Sequence, residues 1–368
     1  MKVFHCSHCG QTVFFENSQC VQCGHPLAFL PEIGEMSSLE PLGGGLWKSP
    51  LPSNPRQTYR LCSQSVDGNQ CNWAVRHEDP HDHCAACRLT SVIPNLSVNG
   101  HREAWIKMEA AKRRLLAGLL TLRLPIVPKA TDPENGLAFE FLADPEDPNA
   151  DPVLTGHFQG LITIHIAEAD DAERERRRHA MGEPYRTLLG HFRHEIGHYY
   201  WDRLVQQNPD RLEPFRTLFG DERQDYQQSL DAHYANGPMD PSAAADRGYI
   251  SAYAAAHPWE DWAETFAHYL HLADVLETAH ACGLSLAPFR ESEPRFQADR
   301  RFTPNDLHRT FETRVDEWRA LSYLHNNLNR SMGLPDGYPF ILTPGVLEKL
   351  RFIDETVHST SFFGRAFA

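Results

Sequence analysis

No apolar run in this 368-residue chain reaches the roughly 20 residues that a membrane-spanning helix needs. The amino terminus, MKVFHCSHCG, lacks the long apolar stretch of a secretory leader, so the expected location is cytoplasmic. A basic excess is missing too. Formal net charge is −14; residues 1–95 hold 6 Lys/Arg against 8 Asp/Glu, a balance of −2, which leaves −12 for the remainder. Phosphate-backbone binding draws on concentrated positive charge, so nucleic acid is disfavoured as a partner. Cysteine is nearly absent after residue 87, where Cys282 stands alone and reads as a buried small apolar residue. There is no low-complexity tail and no repeat beyond two cysteine clusters.

Hydrophobic residues make up 41% and charged residues 23%, ordinary values for a globular chain long enough for two or three domains. Eight of the nine cysteines crowd the first 87 residues. In a reducing compartment such clustering points to metal rather than disulfides. Cys6, Cys9, Cys20 and Cys23 form two CxxC pairs, each followed by glycine (Gly10, Gly24), the pattern of a tight knuckle that aims two sulfurs at one ion. Cys62, Cys71, Cys84 and Cys87 form a looser second quartet. His77, His81 and His83 lie within it and could replace one sulfur, but four sulfurs account for all eight cysteines. A domain this small depends on such metals for stability.

Residues 31–58, rich in Pro and Gly, read as a linker or extended segment. Periodicity predicts a helix over 101–121, an apolar run at 137–142 and a strand within 153–166, where Ile162, Ile164 and Ile166 alternate. After Asp170 the pattern turns helical, with helices expected over 183–207, 258–274 and 310–330. The expected fold class is α+β: zinc-ribbon modules in 1–95, then a mostly helical, zincin-like domain with a small sheet in 96–368.

Chemistry concentrates in His194-Glu195-Ile-Gly-His198. Two histidines four residues apart share one helical face and can bind one zinc, with Glu195 beside them as general base on a water. A ligand six residues after the second histidine is excluded, because Trp201 and Leu204 stand where that pattern requires Gly and His or Asp. A later helix supplies the alternative. In 257–271, HPWEDWAETFAHYLH, Glu260 and Glu264 lie one turn apart among Trp259, Trp262, Phe266 and Tyr269. Such a helix should be buried, and buried carboxylates need a partner. One can be a ligand and the other its support.

HExxH followed by a glutamate on a later helix resembles the gluzincin metallopeptidases. More narrowly, the chain resembles the bacterial zinc-binding metallopeptidases that carry an amino-terminal zinc ribbon. The likeness rests on Cys6 to Cys23, CNW at 71–73, CAAC at 84–87, EAD at 168–170, HEIGH at 194–198, HPWEDWAETFAHYLH, NRSMG at 329–333 and YPF at 338–340. The local pattern is also similar to the catalytic domain of anthrax lethal factor, although the spacing from HExGH to the glutamate is longer here and the ribbons are absent there. That likeness implies Glu260 as zinc ligand, Glu264 as its support and Tyr253, seven residues before Glu260, as an aid to catalysis.

The expectation is a zinc metallopeptidase with one catalytic and two structural Zn²⁺ ions, acting on a peptide or protein. The sequence leaves two other readings open: a catalytically silent adaptor that binds partners through its ribbons, and a hydrolase of non-peptide amides.

Overall fold

The computed structural model describes residues 2–361 except 54–55, 66–67, 69, 146, 148, 181–185, 238 and 307. These residues form two compact units, one of 2–121 and 125–170, the other of 122–124 and 171 onward. The architecture is α+β, and no helix among the described residues is long and apolar enough to cross a membrane.

The first unit is built from short strands. β1 (Phe4–His5) and β2 (Thr12–Val13) form a hairpin with Cys6 and Cys9 in its turn, Cys20 and Cys23 lie in the loop that follows, and β3 (Leu27–Leu30) pairs with β4 (Glu35–Ser38) in a second hairpin. An antiparallel sheet then runs β5 (Glu40–Gly43), β6 (Leu46–Lys48), β7 (Thr58–Leu61) and β8 (Ala74–Arg76). Of the two readings of 31–58, linker or extended segment, the extended one fits, since β4, β5 and β6 lie within it. Gly43, Gly44 and Gly45 all have positive φ (89°, 60° and 76°) and form the turn between β5 and β6, a conformation that side chains resist. The core here is aromatic. Phe29 meets Phe15 edge-on at 5.1 Å and Trp73 at 4.9 Å, and Trp73 is fully buried.

A second sheet follows, from β9 (Thr90–Val92), β10 (Ala138–Leu142), β11 (Gly156–Phe158) and β12 (Leu161–His165), in the order β11-β12-β10-β9. The expected strand in 153–166 is thus a hairpin. Ile162 and Ile164 are buried; Ile166 lies just past β12. β12 is paired on both sides, and the edge strands of this sheet are β11 and β9. Helix α1 spans His101–Thr121, as its periodicity predicts. Because β9 pairs with β10, packing carries this unit well past residue 95.

The second unit is helical: α2 (Asp171–Ala180), α3 (Leu188–Trp201), α4 (Pro209–Phe219), α5 (Tyr226–Asn236), α6 (Pro241–Asp246), α7 (Pro258–Ala281), α8 (Phe311–Ser331) and α9 (Pro344–Ser361), with one small strand pair, β13 (Ser285–Leu286) and β14 (Phe296–Gln297). Of the helix expected over 183–207, residues 183–185 lie outside the described residues. Thr187 caps its start by accepting a bond from the Gly190 amide at 3.0 Å, and a wider π-type turn at Asp202–Gln206 continues it. Helix α7 runs past the expected end at 274. Its exposed C-cap is Cys282, which is therefore not buried as expected.

Helix α7 is the axis of this unit. Trp262 and Phe266 are fully buried, and with Tyr200, Phe215, Phe219 and Phe352 they form a continuous aromatic core. Gly197 brings α3 against α7. A Cβ there would lie 3.0 Å from Ala263 Cα and 3.2 Å from its carbonyl oxygen, so only glycine fits without a shift. The Trp262 indole donates to the Gly197 carbonyl at 2.8 Å and fixes the register of this crossing.

Candidate metal centre

The α3–α7 crossing places the chemistry. His194 and His198, one turn apart on α3, bring their Nε2 atoms to 3.2 Å. Glu260 on α7 reaches them from the facing helix, with Oε2 3.0 Å from His194 Nε2 and Oε1 3.6 Å from His198 Nε2. All three ligand atoms lie within 4.8 Å of one another.

The hydrogen bonds around this triad fix its protonation. His194 Nδ1 donates to Glu264 Oε1 at 2.8 Å, which leaves the His194 Nε2 lone pair for a metal ion wherever no second proton takes it. That lone pair faces a second imidazole nitrogen and a carboxylate oxygen. Acceptors do not gather this closely without a cation between them. Two nitrogens tetrahedrally bound to zinc at 2.0–2.1 Å would stand about 3.3 Å apart, close to the spacing observed, and the donor set of two imidazoles and one carboxylate suits zinc. The field agrees. Burial opposes a charged His194, but Glu260 and Glu264 outweigh it and raise its pKa, so the carboxylates call for a positive charge at Nε2, which a proton or a metal ion would supply. Burial also works against ionised Glu260 and Glu264, yet the histidines pull Glu260 well below the usual carboxylate range and His194 brings Glu264 to about 2.

Outer contacts hold these groups. Ser251 Oγ donates to Glu264 Oε2 at 2.6 Å, and accepts in turn from the Ala254 amide at 3.1 Å. Tyr226 donates its hydroxyl proton to Glu260 Oε1 at 2.6 Å. Burial, then the Glu260 charge, push that hydroxyl above its ordinary pKa and keep it a donor. The Trp259 ring lies 3.8 Å from that of His198.

Glu195 points differently. It is buried, and its Oε2 has no hydrogen-bond partner among the described residues. Burial raises its pKa, against the pull of His194 and His198. An unpartnered buried carboxylate beside such a triad is placed to take a proton. Tyr253 is half-buried, its ring 5.9 Å from His194 and 5.9 Å from His233, and burial holds its hydroxyl protonated. Asp202, at the end of α3, is pushed up to about 6 by burial. His268, two turns beyond Glu260, pairs with the Tyr338 hydroxyl at 3.0 Å, and burial brings it down to about 4.

The structure thus gathers His194, Glu195, His198, Tyr253, Glu260 and Glu264 in one place. Sequence reasoning missed Ser251 and Tyr226. Ser251 stands in the Ser251-Ala-Tyr253 string and could have been found there. Nothing in the sequence ties Tyr226 to Glu260, 34 residues away.

Both cysteine quartets converge, and none of the nine cysteines is in a disulfide. In the first, Cys6–Cys23 and Cys9–Cys20 sulfurs stand 3.6 and 3.7 Å apart. Gly10 and Gly24 take φ of 77° and 71°, and donate to the Cys6 and Cys20 carbonyls at 2.8 and 2.9 Å, closing both knuckles. In the second, Cys71 and Cys84 sulfurs lie 3.6 Å apart, and the Cys84 and Cys87 amides donate to Cys62 and Cys84 sulfur at 3.3 and 3.4 Å. Tetrahedral Zn–S bonds of about 2.3 Å put sulfurs about 3.8 Å apart, far beyond a disulfide's ~2.05 Å. His83 turns to the Gln64 amide at 3.0 Å, and the second quartet is all-sulfur.

Residues 3–98 match a zinc-ribbon domain, and residues 101–356 match a family described as "Putative zinc-binding metallo-peptidase". An uncharacterised protein of Mycobacterium bovis is 43% identical over 357 residues, covering 97% of this chain and 95% of its own length. Two uncharacterised proteins of Mycobacterium tuberculosis strains match to the same extent. No solved structure matches significantly. With the second match spanning well over half its length, the chain belongs to this family of zinc-binding metallopeptidases and carries a zinc ribbon ahead of the matching region.

Proposed function

We propose that residues 96–368 form a gluzincin-type peptidase that hydrolyses peptide bonds of a cytoplasmic peptide or protein, and that residues 1–95 hold two structural zinc ions. The observation that carries this reading is the convergence of His194, His198 and Glu260 with Glu195 left buried and unpartnered beside them. A purely structural metal site needs no such base.

A zinc ion held by these three ligands supplies Lewis-acid polarisation of a carbonyl and acidifies water near neutral pH. The protein's own groups do the rest. Glu264, held by Ser251, keeps His194 in the tautomer whose Nε2 is a ligand. Glu195 accepts the proton of the attacking water and returns it to the leaving amine. Tyr253 donates its hydroxyl to the developing oxyanion, a contribution of about 3 kcal/mol for such a donor.

The test pairs a metal count with digestion of a peptide library. Wild type should hold three zincs, and His194→Ala two. Glu195→Gln should retain three and lose hydrolysis by about 10²–10⁴-fold. Full activity in that variant refutes the role of Glu195. Two zincs in wild type and His194→Ala alike would favour the adaptor reading instead.

A further inference from the structure

We propose that Tyr226 is a positioning residue for the metal centre: its hydroxyl holds Oε1 of Glu260, so that Oε2, which has no hydrogen-bond partner among the described residues, is the oxygen left for the ion. This rests on the metal-centre reading above and adds a residue outside both helices that carry its ligands.

Glu260 is 1% exposed, so its two oxygens must be satisfied by the protein. Oε2 lies nearest His194 Nε2, at 3.0 Å. Oε1 takes the Tyr226 proton at 2.6 Å and stands farther from His198, at 3.6 Å. The phenol thereby occupies the oxygen that would otherwise turn toward the ion as a second donor atom. A carboxylate held in this way binds through one oxygen and leaves room for water and substrate.

Tyr226 is itself placed by a chain of bonds. His257 caps α7 by accepting the Trp259 amide at Nδ1, 3.1 Å away. The proton therefore sits on Nε2, which donates to the Gln224 carbonyl at 3.2 Å. That carbonyl lies two residues before Tyr226, and the Tyr226 ring packs edge-on against His257 at 5.3 Å and Trp259 at 5.8 Å. The Asp225 carboxylate then caps α5 by accepting the Gln228 amide at 2.8 Å. Helix α5 has no fully buried residue of its own. Its hold on the centre is through this anchor and through His233, seven residues on, whose ring meets Tyr253. The residue that caps α7 thus also sets the tyrosine opposite Glu260, the third residue of that helix.

The experiment uses the full chain with both cysteine sites loaded with zinc and the third site emptied. Zinc affinity is measured by competition with a chelator, and the visible spectrum is recorded after cobalt is added to the third site. Tyr226→Phe keeps the ring and removes only the hydroxyl. It should weaken zinc by about 10- to 100-fold, the usual loss for a group that orients a ligand. Its cobalt band should weaken as the freed oxygen raises the coordination number, while the melting temperature without the third metal stays at the wild-type value. His257→Asn keeps an acceptor for the α7 cap but cannot reach Gln224, and should lower affinity in the same direction. Unchanged affinity together with an unchanged cobalt spectrum in Tyr226→Phe overturns the proposal. Failure of the peptidase reading is separable, because neither readout involves peptide hydrolysis.

Discussion

Gly197→Ala sets two opposing effects against each other inside the HExxH helix. Alanine is favoured over glycine in a helix interior by about 1 kcal/mol. Here the new methyl would lie 3.0 Å from Ala263 Cα, 3.2 Å from Ala263 O and 3.3 Å from Phe266 Cβ. Two of these three are backbone atoms of α7 and cannot rotate aside, so the helices must part by a few tenths of an ångström. Overpacking of this kind costs about 1–3 kcal/mol, and the stretched Trp262–Gly197 bond, 2.8 Å in wild type, costs part of another ~1 kcal/mol. The sum is a net loss of roughly 0–3 kcal/mol, a modest fall in stability. The metal centre should suffer more. Glu260 is three residues from Ala263 on α7, and Gly197 lies between Glu195 and His198 on α3. The same parting pulls Glu260 from the histidines, where small displacements matter. Urea denaturation with the third site empty, with a zinc titration alongside, reads both. The expected result is a small stability loss with a weakened third zinc. A variant more stable by the full ~1 kcal/mol of helix propensity, with zinc binding unchanged, would refute the close-packing argument.

Other expectations follow from the same geometry. Burial raises the Glu195 pKa, and a general base must be ionised, so kcat/KM should fall with decreasing pH on a limb above the ordinary glutamate value of about 4.3; a limb at or below that value contradicts the placement. Lys349 on α9 donates to buried Asp261 at 2.6 Å and to the Gly248 carbonyl at 2.7 Å. Burial already pushes Asp261 up to about 7 against the pull of Lys349, so Lys349→Met should cost about 3–5 kcal/mol at neutral pH. A carboxyl whose folded pKa lies above its unfolded value stabilises the fold only while protonated. Removing Lys349 raises the Asp261 pKa further, so the deficit should be level below about pH 7, where both proteins hold the carboxyl protonated, and grow as pH rises above it, which denaturation across pH will check. Finally, Cys9 is exposed and Cys23 half-exposed, whereas the whole second quartet is buried. A chelator should strip the first ribbon zinc before the second, and release of both in one phase would contradict this.

Much of the chemistry was legible from residue type and spacing, since its geometry is local. Two CxxC knuckles, each with a following glycine, need only a short loop to aim two sulfurs. HExxH needs only the pitch of a helix to align two imidazoles. The buried character of α7 followed from its aromatic density, and the α+β class from a change of periodicity near residue 170. For the segment around Gly43–Gly45 the sequence left linker and extended segment open, because consecutive glycines serve a linker and a left-handed hairpin turn equally well. Cys282 was misjudged because burial at a helix end depends on what packs there.

What tertiary structure alone decided was long-range pairing. Glu260 and Glu264 share a face, and nothing local distinguishes ligand from support. The α3–α7 crossing at Gly197 and Ala263 places Glu260 against the Nε2 atoms and Glu264 against Nδ1, and the proposed assignment of ligand and support rests on that. Tyr226 on Glu260, His257 on the Gln224 carbonyl and Lys349 on Asp261 likewise join residues that chain order keeps apart. Periodicity reports which way a side chain leaves its own helix, whereas the partner it meets is set by the packing of elements brought together from distant parts of the chain.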